Sequence, residues 1–171
     1  METGLAVLAS EGVSAVRVEH MARQLGVAKS GFYWHFADRD DLLRAMLDFW
    51  IHEYNEVVTS NVELEGVTGE ERLRRTMHMI NDHDLTQYDL SIRAWAACDP
   101  HVARVLRKAY RTRLEFIRNA LAECGFKGDA LELRARLFLV YHSWESATMW
   151  GESKKATRHF IEQRLALLLR K

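Results

Sequence analysis

The sequence predicts an all-α protein of about nine helices, built as an N-terminal helix-turn-helix three-helix module followed by a larger helical body. Three observations predict it. Apolar residues recur at three- and four-residue spacing through nearly the whole chain, and no segment alternates as a strand would. Strong punctuation is sparse, with 9 Gly and a single Pro in 171 residues. Two short amphipathic segments, Val18 to Leu25 and Lys29 to Phe36, are separated by a tight turn at Gly26.

Val18, Met21, Ala22 and Leu25 form one helical face, and Gly26 supplies the positive φ that ends the helix. In the next helix Phe32 and Phe36 lie one turn apart and point inward, so Ser30, Gly31 and Trp34 point away, with Tyr33 and His35 on the flanks and Lys29 at the amino end. Asp38 caps a helix carrying Leu42, Leu43, Met46, Leu47, Trp50, Ile51 and Tyr54, long enough to act as a lever between the two parts. The interval 61–69, with Gly66 and Gly69, is a loop. Helices follow over 70–83 and 87–97. Asp99-Pro100, a cap residue before proline, opens a long helix that carries Val102, Val105, Leu106, Ala109, Tyr110, Phe116, Ile117 and Leu121 and ends near Gly125. The last two helices cover 129–150 and 154–170, separated by Gly151.

A large aromatic on the outer face of a short helix, beside a lysine and a hydroxyl, suits base edges, thymine methyls and phosphates. That makes the second helix of the pair a DNA reader, with the first braced on the backbone. Formal net charge is 0 and the pI is about 7.1, so no global positive field drives the contact, which must be local and geometric.

At these residues the chain resembles the tetracycline-repressor (TetR) family of bacterial regulators. The resemblance runs from about Leu5 to Leu47 and is carried by Ala9-Ser10-Glu11-Gly12, the stretch Val18 to Val27, the string Gly31-Phe32-Tyr33-Trp34-His35-Phe36, and Asp38-Arg39-Asp40-Asp41-Leu42-Leu43. It implies a DNA-binding domain over 1–47 and a ligand-binding and dimerisation domain over 48–171. DNA contacts are assigned to Arg17, Lys29, Ser30, Gly31, Tyr33, Trp34, His35 and Arg39. Members usually carry Ser or Thr where this chain has Ala28, and again near Arg17, so Ser30 and Arg17 are expected to take over part of those tasks. The family's first helix normally starts earlier, behind basic residues, whereas this chain begins Met1-Glu2-Thr3-Gly4, so its first helix is expected to be truncated.

The helical second domain concentrates aromatic and polar residues where an effector would sit, and His78, Trp95, Tyr110, Phe138, Tyr141, His142 and Trp144 are the candidate ligand-binding residues. None of these is Lys or Arg, so the effector is expected to be an apolar or aromatic small molecule, neutral or cationic. The helix over 131–150 is apolar around a wide arc, with Leu133, Leu137, Phe138, Val140, Tyr141, Trp144, Met149 and Trp150. With Phe160, Ile161, Leu165 and Leu168 it suits a two-fold homodimer interface. Arg104, Arg107, Lys108 and Arg111 read as a solvated face.

The sequence has no nucleophile elbow, phosphate loop or zinc-protease motif, which argues against an enzyme. No cofactor is implied. His78 and Asp82 lack the further ligands that a metal needs. Cys98 and Cys124 are not a disulfide framework, and there is neither a signal peptide nor an apolar run of membrane-spanning length, which places the chain in the cytoplasm. The expected activity is that of a ligand-responsive transcriptional regulator, a repressor binding a near-palindromic operator on double-stranded DNA as a dimer. The alternative is a helical ligand-binding dimer that has lost specific DNA binding.

Overall fold

The computed structural model describes residues 1–145 and 154–171, and the regular structure among them is entirely helical. α1 (Glu2–Glu11) is followed by a 3-10 turn (Val13–Ala15), α2 (Val18–Leu25) and α3 (Lys29–Tyr33). α4 (Arg39–Trp50) continues without a break into a π-helical turn (Ile51–Glu56) and a final turn, α5 (Val57–Thr59). After a 3-10 turn (Val62–Leu64) come α6 (Gly69–His83), α7 (Asp89–Ala96), α8 (Pro100–Glu123), α9 (Gly128–Glu145), α10 (Lys154–His159) and α11 (Ile161–Leu169). With α4 counted through Thr59, and α10 with α11, the described residues form nine helical bodies. The expected run through Met149 to Trp150 and the break at Gly151 lie outside the described residues.

Side-chain chemistry sets the boundaries. At the start of α4, Asp38 Oδ1 accepts the Asp41 N–H at 2.8 Å while Asp41 Oδ2 accepts the Ala37 N–H at 3.1 Å, a reciprocal pair that satisfies two backbone donors. At the start of α8, Asp99 accepts the His101 and Val102 N–H groups at 2.8 and 3.2 Å, ahead of Pro100 at the first helical position. Gly26 ends α2 in the left-handed conformation at φ 66°, and the Val27 N–H returns to the Ala22 carbonyl at 3.0 Å. α3 is shorter than expected. It stops at Tyr33 and passes through a turn at Trp34 and His35, and the His35 and Phe36 N–H groups both close on the Phe32 carbonyl.

Two apolar clusters hold the chain together. The first joins Leu5, Leu8, Val16, Phe32, Met46 and Trp50 to Ile92, Trp95, Val102 and Leu106, so the amino-terminal helices share a core with α7 and α8. The second packs Leu73 and Met77 of α6 and Ile117 and Leu121 of α8 against Phe138 of α9 and Ile161 and Leu165 of α11. Leu25 departs from its expected place on the buried face of α2, being 49% exposed. It is the last residue of that helix, and the left-handed turn at Gly26 directs the chain away from the core.

Close approach of two helices accounts for Gly69. A Cβ built there would stand 2.1 Å from the Ala120 carbonyl oxygen of α8, a backbone atom that cannot rotate aside. Gly69→Ala is expected to cost about 1–3 kcal/mol through this overpacking. In a chain of this size that lowers the thermal midpoint by roughly 2–12 °C, and a midpoint equal to wild type would refute the account.

Candidate nucleic-acid interface

The reader helix is held from beneath and left open above. Phe32 is buried and its ring lies 5.0 Å from that of half-buried Phe36, which anchors the inner face. On the outer side Ser30, Gly31 and His35 are exposed, Tyr33 is 49% exposed and Trp34 is 90% exposed. An indole this bare gains nothing from packing in the isolated chain, and its hydration costs free energy that a partner would recover. The structure thus brings Ser30, Gly31, Tyr33, Trp34 and His35 together on one surface.

The charged candidates behave differently from one another. Lys29 pairs with Glu19 of α2 and lies 5.9 Å over the Tyr33 ring, which steers the ammonium along the reader face. This contact holds the Glu19 carboxyl below its usual range and the Lys29 ammonium above its own. Arg17 is exposed immediately before α2 and donates from Nε to the Ser14 carbonyl at 3.0 Å. Neither Arg17 nor Ala28 caps its helix with a side chain, in keeping with the missing hydroxyls.

Arg39, expected to face DNA, is partly engaged within the chain. Its guanidinium is half-buried and donates to the Val16 carbonyl at 2.7 Å and the Val13 carbonyl at 2.6 Å. It ties the start of α4 to the turn between α1 and α2, and those bonds engage Nε and Nη2 of the guanidinium. Arg23, exposed on α2 beside Arg17 and His20, is a cation the sequence reading passed over.

The ligand candidates do not converge on one site. Phe138 and His142 line a small, partly open cavity together with Tyr54, Asn55, Thr76, Arg113 and Phe116. Trp95 is buried elsewhere, beside Leu43 and Val102. The Tyr110 hydroxyl accepts from Arg93 at 2.8 Å, and the Trp144 ring lies 4.6 Å from the same guanidinium. Tyr141 belongs to an open apolar groove between α9 and α11, with Leu133, Leu137 and Leu167. His78 is half-buried on α6 and lines neither space.

The expectation of a cavity without Lys or Arg is also corrected, because Arg113 lines it. Arg113 shares a helix face with Tyr110, Phe116 and Ile117, a spacing visible in the sequence that marks it as an inward-facing cation. Its counter-charge is Asp89, the first residue of α7 and wholly buried, which it grips through Nη1 to Oδ2 and through Nη2 to Oδ1 at 3.2 Å. Burial pushes the Asp89 carboxyl up, against the pull of the Arg113 guanidinium. Burial also pushes the Tyr54 hydroxyl up to about 12, so it stays protonated at neutral pH. Among the described residues no three His, Cys, Asp or Glu side chains are placed to hold a metal, and no helix is long and apolar enough to cross a membrane.

A short helix braced by a second across a glycine turn, with its outer face bare and polar, defines a helix-turn-helix module carried on a helical bundle. Comparison with known proteins narrows the class. Residues 1–46 match the sequence model of the bacterial regulatory proteins of the tetR family. The chain shares the fold of the TetR-family regulator PfmR from Thermus thermophilus, with a TM-score of 0.72, 18% identity, and coverage of 96% of this chain and 95% of that one. A transcriptional regulator from Rhodococcus sp. Rha1 is similar with a TM-score of 0.68 and 21% identity over 98% and 90% of the two chains. The fatty acid degradation regulator FadR from Bacillus halodurans follows at 0.67 and 14% identity over 99% and 92%. A comparison with curated proteins gives no match. The amino-terminal module, residues 1–46, matches the tetR family of bacterial regulatory proteins, and the whole chain has the fold of the TetR-family regulators it is similar to.

Proposed function

We propose that the chain is a homodimeric, ligand-responsive repressor that reads a near-palindromic operator with two copies of the surface formed by Ser30, Gly31, Tyr33, Trp34 and His35. The bare Trp34 indole, 90% exposed above a buried Phe32 anchor, is the observation that carries this reading. Lys29 and Arg17 hold the adjacent phosphates, and residues 1–47 act as the reader while 48–171 bind the effector and the second copy. Because α1, α2 and α4 share a core with α7 and α8, a displacement in the larger part reaches the reader through the lever of α4.

Support for the dimer comes from the outer face of α9 and α11. Leu133, Leu137 and Val140 are each more than half exposed and Leu167 is 73% exposed, a contiguous apolar surface that a monomer would leave to water. Two-fold pairing through this face buries it and presents two readers to successive major grooves about one helical turn apart.

The test pairs sedimentation with DNA binding. The full chain should sediment as a dimer at micromolar concentration, and it should protect an inverted repeat in the DNA upstream of its own coding region. Lys29→Ala should weaken all sequences together and lower the salt dependence by about one counterion, because phosphate contacts carry no sequence information. A monodisperse monomer, or equal affinity for the upstream DNA and a scrambled fragment, would refute the reading.

A further inference from the structure

The lever helix changes pitch where it meets the cavity. The π-turn Ile51–Glu56 turns two residues inward, Tyr54 and Asn55, and both line the cavity with Val58 and Thr59 of the following turn. Turns of this pitch are rare, and they mark places where a helix is held out of its ordinary ladder. Here the holding group is Arg113 of α8. Its Nε donates to Asn55 Oδ1 at 2.6 Å and its Nη2 donates to the Tyr54 carbonyl at 3.3 Å, while Asp89 fixes the other side of the guanidinium. Across the cavity the Thr76 hydroxyl oxygen of α6 is buried and has no hydrogen-bond partner among the described residues.

The volume of the cavity decides what can follow. At about 40 Å³ it has room for only a few waters, whereas a bound small molecule needs several hundred Å³. The cavity is therefore too small as it stands, and a ligand must displace part of its wall. One side of that wall is the lever, joined to α8 through the Arg113 bonds to Asn55 and Tyr54. Among the described residues the guanidinium that lines the cavity is that of Arg113, and Asp89, outside the lining, already neutralises it. An anion would therefore find its counter-charge spent and a cation would face a guanidinium, each at a desolvation cost.

We propose that Arg113 and Asn55 form a lock between the effector cavity and the lever helix, and that the effector is a neutral amphiphile. Its single hydrogen-bond-accepting oxygen takes the Thr76 hydroxyl and an Arg113 N–H, releasing Asn55. This rests on the ligand-responsive reading above and adds to it the class of ligand and the residues that transmit its binding. Once Asn55 is released the π-turn loses its cross-link to α8, and the orientation of α4, and with it of the reader, is no longer set by α8.

Hydrogen exchange on the full-length protein tests the lock without DNA. Asn55→Ala should speed exchange of the amides of residues 51–60 by about tenfold or more, the worth of a hydrogen bond to a charged group, and leave those of 105–121 unchanged. Asn55→Asp, which keeps the acceptor, should exchange as wild type or more slowly. Should Asn55→Ala unfold globally, Asn55→Ser carries the same comparison. Unchanged exchange at 51–60 in the variant that lacks the acceptor overturns the lock.

The ligand class is tested with 1-decanol, decanoate and decylammonium, which share one tail. The alcohol should speed exchange at 51–60 in wild type, while the two ions do so at least about tenfold less effectively. An ion matching the alcohol, or no response to any of the three, overturns the assignment of a neutral ligand. Operator binding is measured on the same samples. Its absence in wild type would count against the repressor reading while leaving the exchange comparison of the Asn55 variants intact.

Discussion

Asp89→Ala is expected to lower the free energy of unfolding by about 3–5 kcal/mol, because it leaves the Arg113 guanidinium buried with no counter-charge. Among the described residues Arg113 then keeps as hydrogen-bond acceptors the Asn55 side-chain oxygen and the Tyr54 carbonyl, neither of which carries charge. In a chain of this size the thermal midpoint should fall by roughly 6–20 °C. The loss belongs to the unpaired ion and not to the pair as such. Replacing both partners together, as Asp89→Leu with Arg113→Met, should therefore recover most of it, since a buried pair exchanged for apolar groups of similar size is often neutral. A loss below about 1 kcal/mol in the single variant would mean that water solvates Arg113 in place of Asp89, and the account of a desolvated pair would have to be abandoned.

Trp34→Ala is expected to leave the fold untouched and to remove about 1–3 kcal/mol of operator affinity, a factor of about 5 to 150. The two halves of that expectation share one cause. With 90% of its surface in water Trp34 contributes almost nothing to the core, so thermal midpoint and dimerisation should match wild type. Tyr33→Ala should act in the same direction, and the double variant should lose more than either alone. Because the residues are adjacent, the two losses need not add. Equal operator affinity in wild type and the double variant would remove the reader surface from consideration.

Arg39→Ala then serves as the contrast. The sequence places this residue beside the reader, and its charge suggests a phosphate. In the folded chain it is spent on the carbonyls of Val13 and Val16, so its loss should loosen the turn between α1 and α2 before it alters any direct DNA contact.

What was legible in the sequence was what depends on near neighbours along the chain. Helical periodicity is local, so the helices and their faces could be read, and so could the reader's anchored and bare sides, because Phe32, Trp34 and Phe36 sit within one turn of each other. The starts at Asp38 and Asp99 were readable because a cap reaches only two or three residues forward. The apolar arc of α9 was readable too, as more apolar surface than one packing face needs.

Tertiary structure alone decided the fate of the charged side chains and of the lever's pitch. Arg39 finds its acceptors 23 and 26 residues away, and Arg113 finds Asp89 and Asn55 at 24 and 58 residues. No periodicity records such separations. The π-turn at Ile51–Glu56 is cross-linked by these long-range Arg113 bonds, and the placing of Trp95, Tyr110 and Trp144 outside the cavity beneath it likewise depends on contacts between elements far apart in the chain. The physical reason is common to all of them. Apolar burial is non-directional and repeats with the helix, so the sequence alone determined which faces turn inward. An ion must meet a particular partner at hydrogen-bond distance, and only the packing of α4, α7 and α8 against one another determined which partner that is.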